Sequence, residues 1–156
     1  YTTGVMSRNF MPYLLAACDI YAAPSRLEGF GMIQVEANAC AKPVIGIKAM
    51  GMLDTMVHRQ TALLAGVAQE IRLKEATVGG ESGYQDRQRV VFDKPRTVDY
   101  RASVHDIANY LMELMQDAKL RKKMGQAGRK RAVEKFDYRV VAKRFVEIIS
   151  KRLGIS

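Results

Sequence analysis

The stretch DIYAAPSRLEGFGMIQVEANACAKPVI, Asp19 to Ile45, decides the fold of this 156-residue chain. It opens on a short apolar run, breaks at Pro24, and crosses a loop holding Gly29 and Gly31. A helical pattern follows from Gly31 to Ala41, and KPVIGI closes it with a second apolar run. Strand, helix, strand requires a crossover, so the two strands run parallel. Their few polar interruptions mean that both faces of the sheet are covered.

The same rhythm extends on both sides. β-type runs at Thr2 to Val5, Asp19 to Ala23, Pro43 to Ile47 and Ala62 to Ala65 alternate with helical patterns near Phe10 to Cys18, Gly31 to Ala41 and Met52 to Arg59. This predicts an open α/β domain with a parallel sheet and right-handed crossovers. Ligands of such sheets collect outside the carboxyl ends of the strands. The loops Met6 to Asn9, Pro24 to Gly31 and Lys48 to Met52 are therefore expected to share one rim. Tyr1 to Val5 reads as a strand with no linker or cap before it, which gives the expectation of a chain entered partway through a fold.

Beyond Gly66 the alternation stops. Residues 67–102 have apolar alternation at Ile71 with Leu73 and at Val90 to Phe92 around the turn-rich GGESG, which predicts a β-hairpin insertion. GGESG is no phosphate loop, since no Gly-Lys-Ser or Gly-Lys-Thr follows. Residues 103–156 return to helix. Ser103 with Asp106 reads as a capping box ahead of Val104, Ile107, Ala108, Leu111, Leu114 and Met115. Asp137 can cap a last helix whose stripe, Val141, Phe145, Ile148, Ile149 and Leu153, is expected to face the core. The expected organisation is parallel βα units at 1–66, the insertion at 67–102, and C-terminal helices of the same domain at 103–156.

Composition, 48% hydrophobic and 26% charged, suits one globular core that buries roughly 70% of the unfolded surface. No apolar run reaches the roughly 18 residues of a membrane span, and no signal-peptide layout opens the chain, so a cytoplasmic place is expected. Cys18 and Cys40 lack metal-ligand or CxxC spacing and read as small buried residues, with no disulfide expected. The net charge is +9, and Lys119 to Arg152 alone holds thirteen basic and three acidic residues. A solvated helix face is the first reading of that tail and an anionic membrane surface the second. Nucleic acid is disfavoured, because LRKKMGQAGRKR has no interleaved aromatics.

One residue stands out within the central helix. Wound at about 100° per residue, Gln34 and Asn38 share a polar edge, while Glu36 lands among Met32, Ile33, Ala39 and Cys40. Glu36 is expected to be buried there, and an unpartnered carboxylate would cost several kcal/mol or protonate.

The composite resembles the donor-binding signature of family 4 glycosyltransferases of the GT-B fold, the glycosyl transferases group 1. Two glutamates separated by seven residues, a GFG turn, PS before it and KPVI after it carry the resemblance. It runs from Tyr1 to about Gly66 and resumes in DAKLRKKMGQAGRKRAVEKFDYRVVA, which is similar to the family's closing helices. The resemblance implies a Rossmann-like half of a GT-B fold and a retaining transfer of the hexosyltransferase type, from a nucleoside-diphosphate sugar to an acceptor hydroxyl. Glu36 would accept the ribose hydroxyls, and Glu28, the catalytic candidate, would reach the hydroxyls of the transferred sugar. Gly29 and Gly31 would let backbone approach the donor closely, and the amides at Phe30 to Met32 would open a helix toward its phosphates. Ser25 would line the nucleotide pocket and the loop Gly4 to Ser7 would flank the base. In MGMLDTMV, Gly51, Asp54 and Thr55 match a related stretch of glycogen synthases whose backbone lies by sugar and phosphates. His58 and His105 are lone residues that read as structural or exposed.

The sequence also departs from the pattern. Met50 stands for the first of two paired glycines, Ala41 for the glycine ahead of KPV, and His58-Arg59-Gln60-Thr61-Ala62 for D-G-x-T-G, leaving close approach and positive-φ turns open at those places. The implied partners are the nucleotide sugar, an acceptor it does not name, and an N-terminal GT-B portion carrying the Arg and Lys that clamp the diphosphate. Without that portion the chain is expected to be inactive. Neither cofactor nor metal is expected. Arg8, Arg26 and Lys48 read first as exposed charges and only second as substitutes at the rim. The alternative reading is a non-enzymatic nucleotide-sugar-binding or interaction module with a basic, membrane-facing tail. A third is a basic membrane- or nucleic-acid-binding domain that reuses the fold.

Overall fold

The structure, a computed structural model, describes residues 7, 9–80 and 83–155. The expected strand Thr2 to Val5, Arg8, and the loop Gly4 to Ser7 except Ser7 itself lie outside the described residues. The elements begin with α1 (Met11–Ala17), β1 (Tyr21–Ala22), α2 (Met32–Ala39), β2 (Val44–Ile47), α3 (Met52–Thr55) and β3 (Ala62–Ala65). The three strands form one parallel sheet in the order β1-β2-β3, with Tyr21 opposite Val44 and Val44 opposite Ala62. This is the open parallel α/β arrangement that the apolar runs predict.

Every residue of β2 and β3 is buried. Val44, Ala62 and Leu64 pack with Leu15, Val35, Ala37 and Met52 on one side, while Ile45 and Leu63 meet Leu114 and Met124 on the other. Each fully buried Leu or Ile contributes about 1.5–3 kcal/mol, so these short strands carry much of the stability.

The helical pattern at 52–59 yields only one turn, because Met56 is extended. Val57 N–H then donates to Thr61 Oγ1 at 2.9 Å and Leu64 N–H to His58 Nδ1 at 2.9 Å, which fold the chain back into β3.

Residues 67–102 form two antiparallel ladders. β4 (Val67–Leu73) pairs with β7 (Thr97–Ala102), and β5 (Glu75–Gly80) pairs with β6 (Gly83–Val91). Their stems meet at one point, where Ser103 N–H donates to Gly66 O and Gly66 N–H to Asp106 Oδ2, both at 2.8 Å. The capping box is therefore half made: Ser103 Oγ accepts from Asp106 N–H, but the Asp106 carboxylate turns to Gly66.

The tail is α4 (Val104–Gln116), α5 (Ala118–Phe136) and α6 (Tyr138–Leu153), with Asp117 and Asp137 as N-caps of the last two. Gly125 and Gly128 let α5 lie directly on α2. A Cβ at Gly125 would stand 2.0 Å from Ala41 O, and one at Gly128 would stand 2.6 Å from the Asn38 amide. The expected core stripe of α6 is on the surface instead: Val141, Phe145, Ile148, Ile149 and Leu153 are all exposed. On α4, Val104 and Met115 are exposed as well. Periodicity marks an apolar face, and nothing among the described residues covers this one.

Candidate functional site

The rim of the sheet begins where β1 ends. Ala23 N–H donates to Ile45 O, and the chain leaves the sheet at Pro24. Seven residues later Gly31, in the left-handed region at φ 85°, starts α2. Between them Glu28 turns back over the helix. Its Oε1 accepts from Gly31 N–H at 3.0 Å and its Oε2 from Gln34 Nε2 at 3.2 Å. A carboxylate at a helix start is favoured by the backbone dipole. Two accepted bonds also leave about half of its lone-pair positions free.

Gly51 brings the third loop to the same place. A Cβ there would be 2.4 Å from Gly29 O and from Phe30 Cα, so only glycine permits α3 to start against the Glu28 loop. Met50 Sδ accepts from Glu28 N–H at 3.3 Å. Phe30 stacks edge-on against Phe136 with ring centroids 6.0 Å apart, and Arg131, beside the same ring, donates to Thr55 O and Asp54 O. The end of α5 thus braces both loops. The structure brings Glu28, Gly29, Phe30, Gly31 and Gly51 together, with Met32 exposed on the first turn of α2 and Ser25 half-buried at the loop start.

Glu36 is where the structure departs most from expectation. It is exposed, whereas Gln34 and Asn38 are 0% and 2% exposed. The helix is turned so that its polar edge faces inward, where the protein supplies partners for both amide nitrogens while Gln34 Oε1 stays buried without one. Gln34 reaches Glu28, and Asn38 Nδ2 donates to Lys42 O and Thr61 O at 3.0 and 3.2 Å. On the outward side Glu36 borders an open cavity of about 310 Å³ with Met11, Pro12, Leu15, Ala39 and Cys40. Among the described residues no ion pair reaches Glu36. Tyr21 senses both acids. Burial first, then the charge of Glu28, and more weakly that of Glu36, raise its phenol above the usual range, so it stays a neutral donor.

Arg26 does not point at the rim as a free cation. It forms a forked ion pair with Asp99 of β7, with Nε–Oδ1 at 2.8 Å and Nη2 on Oδ2. This bond, aided by Arg101, holds the Asp99 carboxyl below its usual range. Lys48 is exposed. The contacts of Asn38 with Thr61, of Arg131 with Asp54 and Thr55, and of Asp99 with Arg26 escape a reading of the sequence, since these partners lie far along the chain. The one-turn spacing of Gly125 and Gly128 is the signal that marks close helix contact. Among the described residues no group of three His, Cys, Asp or Glu is placed to hold a metal.

Residues 2–77 match the protein family described as Glycosyl transferases group 1. Over these 76 of its 156 residues the chain is similar to that family. Sucrose-phosphate synthase from Thermosynechococcus elongatus superposes with a TM-score of 0.68 over 99% of this chain at 19% identity, and the chain covers 30% of it. HepE of Anabaena, solved in complex with UDP, gives 0.63 over 92% at 22% identity, again over 30% of its length. These two likenesses concern the fold. An uncharacterised glycosyltransferase of Methanocaldococcus jannaschii is 36% identical over 72 residues, which is 46% of this chain and 20% of that relative. The chain thus spans less than a third of the length of each of these three proteins.

Proposed function

We propose that this chain is the donor-binding part of a retaining glycosyltransferase that takes a nucleoside-diphosphate sugar and passes the sugar to an acceptor hydroxyl. The observation that carries this is the placement of two carboxylates along one helix. Glu28 stands over the start of α2, with Gly29, Gly31 and Gly51 leaving the backbone bare around it, and Glu36 sits further along α2 at an open cavity. HepE has been solved with UDP and with UDP-glucose, which supports a donor of that class.

In this reading Glu36 accepts two ribose hydroxyls in the cavity beside Met11 and Pro12, and its exposure makes it available rather than costly. Ser25 lines the nucleotide side. The diphosphate lies at the start of α2, where the amide of Met32 has no carbonyl four residues back to bond. The Gly31 amide is held by Glu28, so Glu28 and the phosphates share that end without competing for one donor. Glu28 uses its free lone pairs for the hydroxyls of the transferred sugar and stabilises the positive charge that develops there, while the helix end stabilises the departing diphosphate. With Arg26 engaged by Asp99, the remaining cationic help comes from a further portion of the protein, which also brings the acceptor. The 156 residues by themselves do not turn over.

Titration of the full-length protein with UDP and GDP tests this. One of the two binds, and Glu36→Ala weakens it by about tenfold to a hundredfold, the loss of two charge-assisted hydrogen bonds. Wild-type protein that binds neither ends the reading.

A second reading concerns place. The exposed apolar stripe of α6 is flanked by Arg139, Lys143, Arg144, Lys151 and Arg152, a layout that suits the surface of an anionic membrane. No helix among the described residues is long and apolar enough to cross a membrane. Cytoplasmic protein with peripheral attachment would co-sediment with anionic vesicles and not with neutral ones. Equal recovery with both removes the attachment.

A further inference from the structure

Asp99 is 3% exposed although it belongs to an insertion whose other described side chains are largely open to solvent. A carboxylate withdrawn from water needs partners, and the groups facing it are Arg26 from the loop ahead of α2 and Arg101 from its own strand, the latter at 3.2 Å. The next residue adds a main-chain tie, since Tyr100 N–H donates to Arg26 O at 3.0 Å. Residues 24–31 are thus held on one flank by Met50, Gly31 and Gln34 around Glu28, and on the other by β7 around Arg26. Arg26 lies two residues before Glu28. Asp99 lies beyond the segment 2–77 that matches the glycosyltransferase family, so the grip reaches into the family segment from outside it.

We propose that Asp99 is a positioning residue for the donor site: by gripping Arg26 from the β-insertion it sets where the Glu28 carboxylate stands over α2, and so how tightly the transferred sugar is held. This rests on the donor-binding reading above. An Arg fork on a carboxylate fixes both distance and plane, which a single hydrogen bond does not. Glu36 points to the side of α2 opposite Gln34, the helix residue that Glu28 touches, so the nucleoside end of the donor does not depend on the grip.

The test compares UDP with UDP-glucose, or GDP with GDP-mannose should the protein prefer guanine, by calorimetry on the full-length protein. Asp99→Asn keeps the shape and the Tyr100 bond but loses the charged fork. It weakens the nucleotide sugar about tenfold and leaves the nucleoside diphosphate within about twofold. Arg26→Gln, made on the exposed side of the pair, does the same and serves if Asp99→Asn does not fold. The double variant is no worse than either single, because both remove one interaction. A merely structural role would weaken both ligands in parallel, and that result, or an unchanged ratio in Arg26→Gln, overturns the proposal while leaving the donor reading intact. Wild-type protein that binds no nucleotide overturns both.

Discussion

The parallel sheet and the antiparallel insertion are both regular, yet they are held in different ways. β2 and β3 have four residues each and expose none of them, whereas β6 runs nine residues and β4 leaves most of its seven in solvent. Both regions are paired along their strands, with one register shift in each ladder of the insertion, so pairing alone does not make the difference. Burial does: two-stranded ribbons without a covered face are marginal in water. The insertion is kept in place by its stems at Gly66 and Ser103 and by its hold on Arg26. Its ladders give it shape, and the core gives it a place.

The largest test of that contrast lies in α5, the helix that closes the core. Gly125→Ala places a methyl group 2.0 Å from Ala41 O, a backbone atom that cannot swing aside, so α5 must lift from α2. A loss of about 3 kcal/mol is expected, read as a fall in the urea midpoint. The matched change in the insertion, Arg89→Ala, breaks the ion pair with Glu75 on the β5–β6 ribbon, where both side chains are exposed. It costs no more than about 0.5 kcal/mol. Comparable losses at the two positions would erase the distinction.

Acid sharpens the contrast at the other edge of the core. His58 Nδ1 accepts the Leu64 N–H, and the ring is half-buried beside Tyr110. Burial first, then Arg59 and Lys48, lower its pKa in the folded protein. The unfolded chain therefore takes up a proton near pH 6.5 while the folded one does not. Stability contributed by neutral His58 is complete above that pH, declines as pH falls below it, and stops declining once the folded form also protonates. The urea midpoint should drop between pH 7.5 and pH 5.5. In His58→Asn, whose amide oxygen accepts the same bond without titrating, that drop should disappear. Asp99 works in a lower window: its folded pKa is depressed, so its contribution is lost only as pH falls below the ordinary carboxylate range.

How far the sequence discloses these features follows from what periodicity contains. Strands β2 and β3 and helices α1 and α2 are legible because short apolar runs and i, i+3, i+4 spacing are local properties, and together they give the open parallel sheet. The inward face of α2 is not legible. Gln34 and Asn38 look like a solvent edge until Glu28, Lys42 and Thr61 are brought beneath them, and those contacts are tertiary. The same limit explains α6: its stripe says which face wants cover, not what covers it. The loops of the candidate site are legible only as composition, the glycines and acids of EGFG and the glycine at 51, whereas their joining needs the fold. Asp99 had no local signal at all, being one charge in an alternating strand.

The turns at positions 41, 50 and 59 yield the smallest effect and the finest distinction. All three residues take positive φ, 57° at Ala41, 52° at Met50 and 61° at Arg59, so the backbone keeps a left-handed turn at three of the four places where the sequence departs from glycine, the fourth, Ala62, lying in β3. An L-residue there is disfavoured by roughly 1–2 kcal/mol, which suggests that glycine would stabilise every one. Met50 and Arg59, however, have contacts to lose: Met50 Sδ accepts from Glu28 N–H, and Arg59 pairs with Glu113 and lies over the Tyr110 ring. Ala41 has only a methyl group, partly buried at the end of α2. Ala41→Gly relieves the strain and gives back part of it through the looser unfolded chain, for a net gain of about 0.5 kcal/mol and a slightly higher thermal midpoint. Met50→Gly should instead lower the midpoint, because the sulfur also fills space against the core. Gains at both positions would mean that Met50 contributes nothing to the Glu28 loop, and the rim would then be held by α2, the end of α5 and the insertion.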